Sequence, residues 1–385
     1  MTLYSSRLSK IEPFHVVDLM SKASQLAATG RDIVHMEAGE PDFSTAAPII
    51  DAGITALQAG LTQYTDAMGI MPLREKISQF YAETYQVNIN PKRIIITPGA
   101  SGALQLATLL LLNPDDGVIL PDPTYPCNRQ FIRLAGAEPQ LVAVDAENSY
   151  RLTADKLQQA WQDNTRAVMV ASPGNPTGAL LKMDDLKQLD EFVKARSALL
   201  IVDEIYHGLT YDEKPTSILE ITDDAVVINS FSKFFGMTGW RLGWAVIPES
   251  AIDQVEKLSQ NMFISLSTPA QYAAIAGFDS SAQAILTERK AAFKSRRDFL
   301  VPALRALGFG VSAVPEGAFY VYADVSRFTQ DSLSFCHQVL HDTGVAITPG
   351  CDFGVYKANH HVRFAFTTSL EQIEQGIDKL AQYLK

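Results

Sequence analysis

The stretch AVVINSFSKFFGMTGWRLGW, residues 225–244, sets the pattern for the whole chain. A short β-branched run, Ala225–Asn229, predicts a buried strand, and Ser230 and Lys233 follow it directly. Arg241 lies eight residues after the lysine. A lysine among aromatics and glycines would lose proton affinity and become a nucleophile for a carbonyl group. The alternative is a structural lysine whose stem covers apolar surface while its amine reaches water.

Other short apolar runs predict strands of the same kind, each bounded by Gly, Pro or acidic residues. Longer amphipathic runs between them predict helices. This alternation favours an α/β fold with a mixed, mostly parallel sheet that helices cover on both faces. The predicted strands are Ile94–Thr97, Gly117–Leu120, Ala167–Ala171, Ala198–Val202 and Ala225–Asn229, and the predicted helices are Gly102–Leu112, Asn128–Ala135, Thr153–Gln162 and Asp184–Arg196.

The two ends of the chain have a different pattern, which predicts a smaller α+β unit. We expect an N-terminal arm and helix at 1–45 that packs with the small domain, a large domain at 46–285 and a small C-terminal domain at 286–385. The elements predicted for these ends are helices over 11–29 (with Pro13 in the opening turn), 284–307, Ser332–Thr343 and from Leu370, and strands at Phe319–Ala323, Val345–Thr348 and Val362–Ala365.

Composition narrows the class of function. The formal net charge of the 385 residues is -11, so a broad basic surface for nucleic acid or anionic lipid is not expected. The run Leu104–Leu112 falls far short of the ~20 apolar residues that span a bilayer. The three cysteines have no CxxC spacing, which favours free thiols in a reducing compartment. We therefore expect a cytoplasmic protein with no metal, nucleic acid or membrane partner.

Ligands of open α/β sheets bind beyond the carboxyl ends of the strands, and three such ends carry suitable groups. A Gly-containing turn leads from Thr97 to a helix near Ser101, whose free N–H groups would attract a phosphate. Tyr125 in PDPTYP offers a ring for stacking, and Asn175 in SPGNPTG offers a hydrogen-bond donor. Taken singly, each has a structural alternative: a turn without a ligand, or an aromatic that fills the core.

The strand LLIVD ends in Asp203, where a carboxylate is costly unless it is paired, and Tyr206 follows three residues later. A helix N-cap is the structural alternative for Asp203. Together with Lys233, the five strand ends place an anion cradle, an aromatic ring, a donor, a buried carboxylate and a nucleophilic amine near each other. That set suits a planar, phosphorylated, cationic aromatic aldehyde.

The chain resembles the aspartate aminotransferase family, the class I/II enzymes of fold type I that depend on pyridoxal 5′-phosphate (PLP). The resemblance runs from GEPDF at 39–43 to VRFAFTTS at 362–369, and SFSKFFGMTGWRLGW at 230–244 is its most specific segment. It implies a PLP-dependent aminotransferase (transaminase) that moves an amino group from an L-amino acid to a 2-oxo acid by a ping-pong mechanism.

The resemblance also implies roles for individual residues. Lys233 forms the Schiff-base link to PLP and later moves the α-proton, while Asp203 pairs with the pyridine nitrogen. Tyr206 and Asn175 donate to the phenolic oxygen of the cofactor, and Tyr125 stacks on its ring. The residues implied for the phosphate are Gly99, Ala100, Ser101, Ser230 and Arg241.

Three further residues are implied for the substrate and for a partner subunit. Arg363 would grip the substrate α-carboxylate with two hydrogen bonds, and the Gly39 N–H would bind the same group. Tyr64 would reach the phosphate bound by the other subunit, so that the active sites are shared within a homodimer. The structural alternatives are a salt bridge for Arg363 and a core position for Tyr64.

The prediction of the substrate rests on the absence of an extra positive charge for a second substrate carboxylate. Members specific for dicarboxylates use an extra cation, and neither Ser101 nor the region Gln260–Thr268 supplies one. An apolar wall is predicted from Phe14, Val16, Val17, Phe319 and Tyr320. We therefore expect a donor with an apolar or aromatic side chain and an acceptor such as 2-oxoglutarate or pyruvate.

Two other functions share this cofactor and fold. β-Elimination by a C–S lyase, or cyclisation of an S-adenosyl substrate, would use the same Lys233, Asp203 and Arg363. A PLP-binding regulatory module would add a basic DNA-binding domain. About 30 residues precede the first matched motif and the chain is acidic, which disfavours the regulator.

Overall fold

The computed structural model describes residues 3–385, which contain twelve β-strands and twelve α-helices. The strands are β1 (Val34–His35), β2 (Ile94–Thr97), β3 (Gly117–Asp122), β4 (Glu138–Ala143), β5 (Thr165–Ala171), β6 (Leu199–Asp203), β7 (Val226–Ser230), β8 (Gly243–Val246), β9 (Tyr320–Asp324), β10 (Val345–Ala346), β11 (Thr348–Pro349) and β12 (His361–Ala365). The helices are α1 (His15–Ala28), α2 (Ala47–Gln58), α3 (Met71–Tyr85), α4 (Gly99–Leu111), α5 (Pro126–Leu134), α6 (Ala154–Ala160), α7 (Met183–Lys194), α8 (Ile252–Met262), α9 (Thr268–Ala276), α10 (Ser280–Leu307), α11 (Ser332–Thr343) and α12 (Leu370–Tyr383).

The central sheet has seven strands within residues 3–385, in the order β2-β8-β7-β6-β5-β3-β4. Strand β8 runs antiparallel to both of its neighbours, while the other pairings are parallel. This confirms the predicted fold class, a mixed and mostly parallel sheet with helices around it. The parallel strands β5, β6 and β7 bring the segments after Ala171, Asp203 and Ser230 to one edge.

Both faces of this sheet are buried, which explains why its strands read as unbroken apolar runs. Along β6, Leu200 and Val202 belong to one apolar cluster, whereas Ile201 belongs to the cluster on the opposite face. Successive side chains of a strand point to opposite faces, so a fully apolar run fills two layers at once. The backbone at the carboxyl end of β6 is therefore held from both sides.

The smaller unit is built on the antiparallel sheet β11-β12-β9. The N-terminal segment packs with it: β1 pairs in parallel with β10, and Leu19 of α1 shares an apolar cluster with Leu380 of α12. Helix α10 runs through both units, since Leu286 packs in a large-unit cluster and Phe293 in the small-unit cluster. The division at residue 286 falls inside this helix, and it stays a prediction.

Several predicted bounds are corrected. Helix α4 begins at Gly99 rather than Gly102, and strand β8 together with β4 was not predicted at all. The predicted strand Val345–Thr348 is two short strands that pair with different partners. The helix predicted over 11–29 begins at His15, after Pro13, because the Asp352 carboxylate accepts from the His15 and Val16 N–H groups at 2.8 Å each.

No helix among residues 3–385 combines the length and the apolar character that crossing a membrane requires.

Candidate active site

A cavity of about 450 Å³ lies at the carboxyl edge of the central sheet, where the smaller unit covers it. Its volume is typical of small-molecule sites, and its position is typical of ligand sites in open α/β sheets. Most of the residues singled out from the sequence line it: Gly39, Ala100, Ser101, Tyr125, Asn175, Asp203, Tyr206, Ser230, Lys233, Arg241 and Arg363.

Two of the residues predicted to bind the cofactor do not line the cavity. Gly99 is buried beneath it, as the first residue of α4. Tyr64 follows α2 and is 84% exposed, so the alternative of a core tyrosine is wrong. Within this one chain Tyr64 has no role in the cavity, and any part it plays must involve another molecule.

The Lys233 amine lies inside the cavity. Its Nζ donates to the Gly39 carbonyl at 2.7 Å and lies 5.8 Å and 5.7 Å from the ring centroids of Tyr206 and Phe319. Burial, with a contribution from the positive charge of Arg363, lowers the pKa of this amine to about 8. A useful fraction of neutral, nucleophilic amine is therefore present near neutral pH. An amine that reaches bulk water, the structural alternative, does not describe this geometry.

Asp203 ends β6 and is 3% exposed. Its Oδ1 accepts from the Ile205 N–H at 3.2 Å, and turns rather than a helix follow it, so the N-cap alternative is wrong. Burial raises the pKa of this carboxyl to about 7. A cationic group in the cavity would reverse that shift, because an opposite charge nearby favours the ionised carboxylate.

A buried polar network lies behind Asp203, and sequence reasoning missed it. Both oxygens of Glu204 accept from the Ser217 hydroxyl at 3.0 Å, and Oε1 also accepts from the Ile218 N–H at 2.9 Å. Burial raises the pKa of Glu204 to about 8 and lowers the pKa of His207 to about 3. These bonds tie the segment after β6 to the turn at 217–218, and so fix the backbone that carries Asp203.

The start of α4 forms the floor of an anion cradle. Its first N–H groups are free of helical partners and point outward, and Ala100 and Ser101 line the cavity there. A Cβ at Gly99, where φ is +71°, would lie 2.7 Å from Nη2 of Arg241. The missing side chain therefore lets the guanidinium approach the helix start. Ser230 is buried beside them, and its Oγ accepts from the Ser232 N–H at 3.0 Å.

Arg363 projects from β12 of the smaller unit and is 4% exposed. Its Nη1 donates to Oδ1 of Asn175 at 3.0 Å, and its Nη2 donates to the Glu37 carbonyl at 2.6 Å and to the Thr348 hydroxyl at 3.2 Å. Its Nε–H is buried and has no partner within residues 3–385. The guanidinium thus keeps donor capacity for an anion, and a surface salt bridge is excluded.

The structure corrects one aromatic residue of the predicted apolar wall and places two other aromatic residues in the cavity. Phe319 was predicted to line an apolar wall, but it is fully buried and packs edge-on against Tyr206 in the small-unit core. Tyr320 lines the cavity as predicted, yet its hydroxyl pairs with that of Tyr206 at 2.9 Å. Tyr125 also lines the cavity, which excludes a core position. Sequence reasoning could not identify Glu37 as a partner of Arg363, because Glu37 contributes a backbone carbonyl and not its side chain.

The cofactor that the resemblance implies, PLP, fits these residues. Arg363 has a buried N–H donor without a partner among the described residues, which suits an anion. Arg241 lies against the start of α4 at Gly99, and this arrangement also suits an anion. The buried Asp203 carboxylate suits a protonated ring nitrogen, and the Lys233 amine suits an aldehyde. The ring of Tyr125 offers a flat apolar face between these groups.

Comparisons with known proteins agree on one family. The sequence model described as "Aminotransferase class I and II" matches residues 31–380. The (5-formylfuran-3-yl)methyl phosphate transaminase of Methanocaldococcus jannaschii is 36% identical over 99% of this chain and 100% of its own length. The valine–pyruvate aminotransferase of Mycobacterium tuberculosis is 36% identical over 97% of each chain. The solved structure of an aminotransferase from Mycobacterium tuberculosis has a TM-score of 0.96 at 34% identity, covering 100% of this chain and 99% of that one.

The buried carboxyl of Asp203 predicts a pH-dependent stability of the protein without cofactor. Because its folded pKa is raised, Asp203 binds a proton more tightly in the folded chain than in the unfolded chain, and its contribution to the free energy of unfolding falls as pH rises from about 4 to about 7. Asp203→Asn removes this titration. We expect the variant to gain about 2 kcal/mol over wild type between about pH 5 and about pH 8, measured by urea unfolding. Parallel pH profiles of the two proteins would contradict the assignment.

Proposed function

This chain belongs to the class I and II aminotransferases, and from that membership we propose that its donor is an L-amino acid with an apolar or aromatic side chain. The chain is a PLP-dependent enzyme that transfers an amino group between an amino acid and a 2-oxo acid. The cations that line the cavity among the described residues are Lys233, Arg241 and Arg363. Each has a proposed partner other than the donor side chain, and this observation supports an apolar donor.

Bound PLP withdraws electrons from the substrate and makes its α-proton acidic. We propose that Asp203 holds the proton of the ring nitrogen, which keeps that electron sink charged. Lys233, whose amine has a lowered pKa of about 8, carries the cofactor and takes up the α-proton. The phosphate is held by the start of α4, Ser230 and Arg241, and none of these three needs to move during proton transfer.

The substrate α-carboxylate is proposed to bind Arg363. Planar guanidinium and carboxylate groups match in two parallel hydrogen bonds, which fixes the direction of the substrate as well as its distance. Asn175 orients the guanidinium through its Oδ1 and retains its amide nitrogen as a donor toward the cofactor. Gly39, beside Lys233, is proposed to offer its N–H to the same carboxylate.

The donor side chain would then extend toward α1. Phe14, Val17 and Met20 line this side of the cavity and offer apolar contacts. Glu40 also lines the cavity, and its carboxylate acts on Lys233, so a second substrate carboxylate would meet like charge without a spare cation. The name of the valine–pyruvate relative supports a branched apolar donor. Either 2-oxoglutarate or pyruvate is compatible as the acceptor.

The donor is tested by single half-reactions. The PLP-loaded protein is mixed with one amino acid at a time, and conversion of the cofactor to its amine form is followed by absorbance. We expect leucine, methionine, valine or phenylalanine to react at least about tenfold more efficiently than aspartate, because an unpaired carboxylate is costly to desolvate. Val17→Lys should raise the rate with aspartate relative to the rates with apolar donors. Val314→Lys is the control, at an exposed position of the smaller unit, and should leave this ratio unchanged. A preference for aspartate in the wild type, or ammonia release without a 2-oxo acid, would contradict the proposal.

A homodimer is also proposed. On α2, the side chains Ile50, Ile54 and Leu57 are 36%, 47% and 56% exposed, and Leu61, which follows the end of the helix, is also exposed. Ile50, Ile54 and Leu57 form an apolar stripe on one face of the helix, beside the face of the buried Ile49, Gly53 and Ala56 that packs toward α9. Contiguous exposed apolar surface of this kind is typical of subunit interfaces. Tyr64 lies just beyond the stripe, where a second subunit would meet it.

The dimer prediction concerns mass and oligomeric state. We expect light scattering to give the wild type about twice the 42.2 kDa of one chain. Ile54→Glu with Leu57→Glu should yield monomers, because two carboxylates would be buried unpaired at the interface. Val314→Glu, an exposed apolar position of the smaller unit, serves as the control and should remain dimeric. A monomeric wild type, or a dimeric double variant, would contradict the interface.

A cytoplasmic location is proposed as well. It is supported by Cys127, Cys336 and Cys351, which are free thiols in the described chain. Burial raises the pKa of all three thiols, which keeps them protonated and unreactive. Such thiols are typical of reducing compartments.

A further inference from the structure

The hydroxyl groups of Tyr206 and Tyr320 form a buried pair in the wall of the cavity. Their oxygens lie 2.9 Å apart, and the rings meet edge to face at 5.8 Å and 84°. Tyr206 follows β6 of the large unit, whereas Tyr320 begins β9 of the smaller unit. The two side chains are 2% and 1% exposed, so neither hydroxyl has bulk water as an alternative partner. The pair therefore joins the two units at the cavity by a hydrogen bond.

Two neighbours fix the position of the Tyr320 hydroxyl. The guanidinium carbon of Arg363 lies 4.2 Å from the centroid of the Tyr320 ring, within the range of a cation–π contact. On the other side, a methyl group at Gly39 would overlap the Tyr320 hydroxyl oxygen. Tyr320 thus contacts both groups proposed to hold the substrate carboxylate, and it also contacts the tyrosine proposed to face the cofactor.

We propose that Tyr320 is a positioning residue whose hydroxyl donates to the Tyr206 oxygen, so that Tyr206 directs its own proton toward the phenolic oxygen of the cofactor. A phenol has one proton to donate and lone pairs to accept with, so a chain of two tyrosines has a defined direction once its far end meets an acceptor. Hydrogen bonds in such a chain polarise one another, which makes Tyr206 a stronger donor. The inference rests on the proposed role of Tyr206 in cofactor binding.

Burial raises the pKa of both hydroxyls, so both carry their protons throughout the working range of an enzyme. The charge of Arg363 opposes this shift in both cases, and that of Asp203 reinforces it for Tyr206. These charges remain when the hydroxyl alone is removed. The ionisable groups that line the cavity around the pair are Asp203 at the end of β6, Lys233 after β7, Arg363 of β12, Tyr125 before α5 and Glu40 after β1.

Tyr320→Phe isolates the hydroxyl, because the ring remains over Arg363. The readout is the pH midpoint of the visible absorption of the PLP-loaded protein, which reports protonation of the nitrogen that joins Lys233 to the cofactor. Weaker donation by Tyr206 leaves more negative charge on the phenolic oxygen, and this charge holds the neighbouring proton more tightly. We expect the midpoint to rise by about half a pH unit, a roughly threefold gain in proton affinity.

Tyr322→Phe is the matched control. Tyr322 lies two residues along the same strand and is also buried, and its hydroxyl has no hydrogen-bond partner within residues 3–385. We expect its absorption midpoint to equal that of the wild type. A shift in Tyr322→Phe as large as in Tyr320→Phe would overturn the proposal, because it would indicate a general effect of removing a phenol from β9.

The double variant Tyr206→Phe/Tyr320→Phe separates action through Tyr206 from direct action on the cofactor. It should match Tyr206→Phe alone, since Tyr320 has nothing to act through once Tyr206 lacks its hydroxyl. If Tyr320→Phe alone does not fold, the double variant can still overturn the proposal, because it leaves neither hydroxyl unpaired. A further rise in the double variant, or a shift below about 0.1 unit in Tyr320→Phe, would overturn the proposal. A wild type with no visible band linked to Lys233 would instead contradict the proposed function itself.

Discussion

Burial of an amine and a carboxylate in one cavity is the constraint on which this structure depends. Asp203 ends β6, Lys233 follows the neighbouring parallel strand β7, and both line the same cavity. Burial lowers the pKa of the amine to about 8 and raises that of the carboxyl to about 7. Each group is held in a state that a complementary ligand would stabilise, an aldehyde for the amine and a cation for the carboxylate. The rest of the fold holds these two groups in fixed, buried positions.

The two units contribute different parts of the chemistry. The large unit supplies Lys233, Asp203 and the anion cradle at α4, which together suit a cofactor. The smaller unit supplies Arg363 from β12 and Thr348 from β11, which pair in register and suit a carboxylate. Asn175 and Tyr206 join the two sets through hydrogen bonds to Arg363 and Tyr320. Binding of the substrate carboxylate therefore depends on the position of the smaller unit relative to the large unit.

Much of the fold and of the site could be predicted because strand ends are visible in a sequence. Apolar runs ending in Asp203 or before Lys233 identify both the strand and the residue beyond it. Strand β8 was missed, since its first residue follows a glycine-rich turn and its antiparallel pairing leaves no separate signal. The Tyr206–Tyr320 bond was missed because it joins residues 114 apart in the chain. The network around Glu204 joins residues only 13 or 14 apart, but no hydrophobic pattern or motif of the sequence marks it. Tyr64 lies outside the cavity of the single chain.

The most direct measurement concerns the amine at position 233. The PLP-loaded protein is reduced with borohydride, which makes the link between cofactor and lysine permanent, and is then digested for mass spectrometry. We expect a pyridoxyl tag on the peptide that contains Lys233, and no tag in Lys233→Ala. A tag on a different lysine, or an untagged wild-type digest, would contradict this expectation.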